Sequence, residues 1–263
     1  MVPSVRKYKK EIMAVMKKLS SLGRSLVVTV LTVVCSPLLA DHHTSNEALG
    51  TGAVGIINLV AQDPSSYVAS QKLNGEIFEQ LGVTIAGACT AVSGNQVPGE
   101  MQFFSFVPSV ADAMQVWDTM IGSAPIRQLQ EELSANRTLA GNETWQIIDG
   151  YGGEIRDTWA TRLVEVNPTD VQQYIAAIKN LESAYHENGY DDIEFDVYQP
   201  IGSGSQPLLN VVAVAPTLYR LGEVFDVLNS ESWSEQAYAL VTASRPALVS
   251  DKIYKCEQVY SSI

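Results

Sequence analysis

The chain has 263 residues, 46% of them hydrophobic and 8% aromatic, with 17 basic against 29 acidic side chains. The formal net charge of −12 repels phosphate backbones, which excludes nucleic acid as an expected partner and argues against docking on anionic membranes. Such a surface reads as solubilising and is compatible with basic ligands or divalent cations.

Residues 1–40 read as a leader. Arg6, Lys7, Lys9, Lys10, Lys17, Lys18 and Arg24 form a basic lead, residues 26–34 are apolar, and Ser36-Pro37-Leu38-Leu39-Ala40 ends on a small residue. This is the layout of a secretory signal peptide, cleaved after Ala40. The start is Met1, Met13 or Met16. The alternative is an uncleaved anchor, but the apolar run falls short of the roughly 20 residues a spanning helix needs. The expectation is export to the periplasm or the exterior, with no stable membrane anchor after cleavage. Cleavage removes 7 basic residues and 1 acidic one, leaving 10 and 28, a net charge near −18 over 223 residues.

The remainder of the chain is written twice. Asn58-Leu59-Val60-Ala61-Gln62-Asp63-Pro64-Ser65 is echoed by Arg162-Leu163-Val164-Glu165-Val166-Asn167-Pro168-Thr169, and Pro108-Ser109 by Pro216-Thr217. Each half opens with an apolar run, 54–61 and 161–166, that stops at Asp-Pro-Ser or Asn-Pro-Thr, a cap residue with Pro at the first helical position. The spacing of Tyr67, Leu73, Ile77, Phe78 and Leu81, and of Val171, Tyr174, Ile175, Ile178, Leu181 and Tyr185, predicts a helix in each half, ending at Gly82 and Gly189. Strands are predicted at 83–93, 101–107, 193–201 and 208–215, joined by the turn-like segments 94–99 and 202–207. Second helices open at Ser109 and Thr217, further helical stretches run over 126–133 and 234–242, and Arg137 and Arg245 fall at matching places after them. Each half closes on a strand, 144–151 and 252–260. The order β-α-β-β-α-β, repeated, is the ferredoxin-like unit. It divides the mature chain into 50–152 and 158–260 and gives an α+β fold.

Element order and the paired caps resemble the dimeric α/β-barrel superfamily, which includes antibiotic-biosynthesis-type monooxygenases and NIPSNAP-like proteins. The resemblance implies two tandem ferredoxin-like units whose bare sheet faces close a barrel within one chain, giving a monomer with an internal pseudo-twofold. It also makes neighbours of the second strand of one half and the last strand of the other. Cys89 and Cys256 then either form a disulfide across the seam or remain two small buried thiols.

The resemblance places a ligand cavity inside the barrel or between sheet and helices. Polar residues at echoed strand positions are the candidates to line it: Asn58 with Arg162, and Gln102 with Asn210. Trp145, Tyr198 and Tyr254 supply aromatic wall. Asp192, Glu194 and Asp196 alternate along one strand face, where they hold a hard cation or simply meet solvent. Haem-binding members of the superfamily use an axial His. His42, His43 and His186 carry no such role over, and no cofactor is expected. No nucleophile elbow, Cys-x-x-Cys, P-loop or dinucleotide fingerprint is present. The functional expectation is an exported barrel that binds a small molecule or a partner; the alternative is a cofactor-free oxygenase acting on an aromatic substrate inside the barrel.

Overall fold

The computed structural model describes residues 52–202, 208–245 and 247–263. The leader, His42, His43 and most of the 202–207 turn lie outside the described residues. The elements are β1 (Ala53–Ala61), α1 (Pro64–Lys72), α2 (Gly75–Gln80), β2 (Ile85–Ser93), β3 (Glu100–Val107), α3 (Val110–Gly122), α4 (Ala124–Ser134), β4 (Arg137–Asp149), β5 (Thr158–Val166), α5 (Val171–Glu187), β6 (Glu194–Ile201), β7 (Leu209–Ala215), α6 (Leu218–Ser230), α7 (Ser232–Ala243) and β8 (Leu248–Ser261).

The eight strands close into one barrel in the order β1-β3-β2-β8-β5-β7-β6-β4, every neighbouring pair antiparallel. Closure gives every strand a hydrogen-bonded neighbour on each side. Alternation along the strands divides the core in three. Val54, Ile56, Phe104, Trp145, Leu163 and Tyr254 face the barrel interior. Ala53, Ile57 and Leu59 face α1–α3 on the outside. Val164 and Val166 meet α5–α7.

The helix starts follow from local chemistry. Asp63 caps α1 by accepting from the Ser66 N–H at 3.1 Å, with Pro64 at the first helical position. Ser109 and Thr217 cap α3 and α6 by accepting from Asp112 and Arg220 N–H groups. The single first helix expected over 65–81 is instead two, broken at Leu73–Asn74, where the Asn74 side chain bonds back to the Ser70 carbonyl.

The second correction is one of register. Asn167-Pro168-Thr169 precedes α5 without capping it; the cap is Asp170, accepting from Gln173 N–H at 3.0 Å. Asp63 and Asp170 are therefore the matching caps. Asn58, five residues before the first, matches Glu165, five before the second, and Arg162 is three residues out of step. The strand pairing agrees: Asn58 stands opposite Gln102, and Glu165 opposite Asn210. An odd slip along a strand turns a side chain to the other face.

Cys89 and Cys256 are direct cross-strand partners of β2 and β8, joined by a disulfide with Cα atoms 4.0 Å apart.

Candidate functional site

The barrel interior is not filled. It holds a cavity of about 120 Å³. Inward positions of β1, β3, β5 and β7 wall it with Val54, Ile56, Phe104, Leu163 and Val212, and the rings of Trp145, Trp159 and Phe106 add the flat surfaces. At one end the β4–β5 connection folds over it, contributing Tyr151, Ile155 and Arg156. The Tyr151 hydroxyl holds that connection by donating to the Glu154 carbonyl at 2.6 Å and accepting from Arg156 at 3.1 Å.

Two polar groups stand out in this apolar wall. Asp196 and Tyr198, two apart on β6 and so on the same face, are each 4% exposed. The Tyr198 hydroxyl donates to Asp196 Oδ2 at 2.9 Å. Burial pushes the Asp196 carboxyl well above the usual carboxylate range, and the negative charges of Glu182, Glu194 and Asp149 add to that despite the Tyr198 hydrogen bond. Burial raises the Tyr198 phenol as well. No cation pairs with Asp196 among the described residues. Inside an aromatic chamber such a carboxyl can accept a hydrogen bond or a proton from a ligand group brought to it.

Further along β1 the interior gives way to a hydrogen-bonded rim that reaches solvent at Glu143. Gln102 donates to Asn58 at 3.0 Å, Asn58 to Glu143 at 2.6 Å, and the Trp145 indole to the other Glu143 oxygen at 2.8 Å. Lys252 pairs with Glu100 beside them. The Tyr254 hydroxyl, in a residue 1% exposed, finds no hydrogen-bond partner among the described residues.

Of the residues singled out from sequence, Gln102, Trp145 and Tyr198 line the cavity, Asn58 is one hydrogen bond behind Gln102, and Tyr254 belongs to the same interior cluster. Asn210 is 3% exposed, opposite Tyr198 and Glu165. Arg162 is not among them. It lies on the outer face, its guanidinium 4.9 Å over the Phe225 ring and bonded to both Asp251 oxygens at 2.9 and 2.6 Å.

The three alternating carboxylates part company. Asp192 is held by Arg220 at 2.9 Å, Glu194 sits near Glu182 and His186, and Asp196 turns into the cavity. The face read as solvent or a cation site is therefore partly barrel interior. Glu182, His186 and Glu194 each bring one donor atom within 4.8 Å of the others. The His186 Nε2 contacts the Ile193 carbonyl at 2.7 Å.

Sequence reasoning missed the wall residues Phe104, Phe106, Trp159 and Leu163, the lid-like 150–157 connection and the burial of Asp196 in the cavity wall. The one available signal was the spacing of Asp196 and Tyr198, which places both on a single strand face.

A closed barrel of eight antiparallel strands with helices packed outside is the dimeric α/β-barrel fold. Solved structures with this arrangement include a proposed monooxygenase from Lactobacillus acidophilus NCFM, 11% identical with a TM-score of 0.52, covering 80% of this chain and 94% of that one. A mutant chlorite dismutase from Candidatus Nitrospira defluvii is 11% identical with a TM-score of 0.51, covering 81% and 95%. A dye-decolorizing protein from V. cholerae is 7% identical with a TM-score of 0.51, covering 81% and 96%. No protein-family model matches the chain, and no curated protein sequence matches it. At these identities the likeness is one of fold. His186 is the one histidine among the described residues and lies on α5, so the cavity offers no imidazole there and does not fit a histidine-ligated haem.

Proposed function

We propose that this chain is an exported barrel that takes one small, mostly apolar aromatic molecule into its interior and anchors a hydroxyl or N–H of that molecule on Asp196. The observation that carries the reading is the Asp196–Tyr198 pair facing an aromatic-walled cavity. A buried carboxyl without a cation is costly to keep, and a ligand donor offsets that cost. Flat rings of Trp145, Trp159 and Phe104 suit a planar guest. Export, with residues 1–40 removed, is supported by the leader composition and by a disulfide, which persists in oxidising compartments. We further read 50–152 and 158–260 as tandem ferredoxin-like units and the protein as a monomer with an internal pseudo-twofold. The strand runs β4-β1-β3-β2 and β8-β5-β7-β6 and the matching caps Asp63 and Asp170 support that reading.

Native mass spectrometry of the protein exported by its own host tests the binding reading. The expected result is residues 41–263 carrying one small aromatic compound that unfolding releases. A protein that emerges wholly without such a compound contradicts it.

The same carboxyl favours a second reading, cofactor-free oxygenation. Burial strengthens Asp196 as a base toward a weakly acidic phenol. Asp196 would take the phenolic proton, the phenolate would pass electrons to molecular oxygen, one ring C–H would become C=O, and one water would leave. Oxygen consumed one-for-one with quinone formed from 1-naphthol distinguishes an enzyme from a binding protein, which consumes none.

A further inference from the structure

We propose a second binding site, between the barrel wall and the helices of the first half, that takes a small carboxylate of about acetate size. Arg137, at the start of β4, is 6% exposed. Its Nη1 donates to the Tyr67 hydroxyl at 2.8 Å, its Nη2 donates to Gln130 Oε1, and its Cζ lies 5.5 Å from the centre of the Tyr67 ring. No carboxylate pairs with it among the described residues, and Glu131 and Glu132 on neighbouring α4 point to solvent. Tyr67 does not supply the missing charge, because burial raises its phenol and keeps it neutral.

Two donors here have no hydrogen-bond partner among the described residues. Arg137 Nε and Gln71 Nε2 are both buried and unbonded, and Gln71 is itself 5% exposed. Both residues line one cavity of about 50 Å³, whose other walls include Phe78 and Leu133. A volume of this size exceeds the roughly 15 Å³ that one water needs. A buried guanidinium is stabilised by a planar anion that takes two N–H groups at once. Acetate matches: its oxygens meet Arg137 Nε and Gln71 Nε2, and its methyl meets the apolar wall. In the second half the matching Arg245 donates to the Tyr238 hydroxyl at 3.2 Å, and the helix-layer cavity that it lines also holds Arg162, which is paired with Asp251.

Thermal unfolding of the full exported protein in sodium acetate and in sodium chloride of equal ionic strength tests the site. Acetate at a hundredfold excess over its Kd is expected to raise Tm by about 5–10 °C more than chloride does. Arg137→Gln and Gln71→Leu are expected to abolish that difference; Gln71→Leu keeps the guanidinium and its hydrogen bonds, so it serves where Arg137→Gln fails to fold. Equal Tm in the two salts, or an acetate effect that survives in Gln71→Leu, overturns the proposal, as does a crystal grown in saturating acetate with only water in the cavity.

Discussion

Asp196 is where environment most changes what a residue is. Its ordinary value is 3.8, and burial lifts it well above that in the folded barrel. The folded protein then holds this proton more tightly than the unfolded chain does. The contribution to stability is complete below about pH 3.8 and is lost as pH rises through the folded value. Asp196→Asn keeps the shape and removes the titration. It is expected to raise Tm at neutral pH and to flatten the decline of Tm from acid to neutral, measured by calorimetry across that range. A profile parallel to the unsubstituted protein's would show that Asp196 is not the group responsible. Gly87 makes a steric counterpart. A Cβ there would lie 2.3 Å from Phe104 Cζ and 2.8 Å from the Glu257 carbonyl oxygen, so Gly87→Ala must push the ring into the cavity. The expected cost is about 1–3 kcal/mol of stability with weakened ligand binding, read by denaturant unfolding and by titration. Unchanged binding would mean that Phe104 does not limit the guest.

At the scale of elements, the caps explain both what was legible and what was not. Strand and helix order could be read because Pro64, Ser109, Thr217, Gly82 and Gly189 are local punctuation, and local signals act without tertiary context. Asn167-Pro168 looked like the same punctuation, yet Asp170 caps α5, and a three-residue error sufficed to turn Arg162 from the interior to the helix layer. Asp170→Ala is expected to cost about 1 kcal/mol and to lower Tm by roughly 2–4 °C; no change in a melting curve would leave the cap elsewhere. The cavity was only partly legible. Trp145, Tyr198 and Gln102 could be named from strand positions, but Phe104, Trp159 and the 150–157 connection line it only because closure brings distant strands together. Asp196 looked like a solvated strand residue because alternation separates two faces without saying which is inside.

For the whole molecule, closure of the barrel underlies both the stability and the proposed binding function. The Cys89–Cys256 bond ties β2 to β8 across 167 residues, a span for which the chain-entropy model gives about 5 kcal/mol. Reduction is therefore expected to lower Tm by roughly 10–20 °C, and a Tm unmoved by reductant would mean that strand pairing alone holds the seam. The cavity depends on the same closure, because its walls come from both sides of that seam. Its proposed role is tested most directly by titrating 1-naphthol while following tryptophan fluorescence, with Trp145 and Trp159 in the cavity wall. Saturable quenching at one naphthol per chain, weakened about tenfold or more in Asp196→Leu through loss of one buried hydrogen bond, is the predicted result. Quenching that never saturates, or the same Kd in Asp196→Leu and Gly87→Ala as in the unsubstituted protein, would contradict a ligand held by Asp196 inside the barrel.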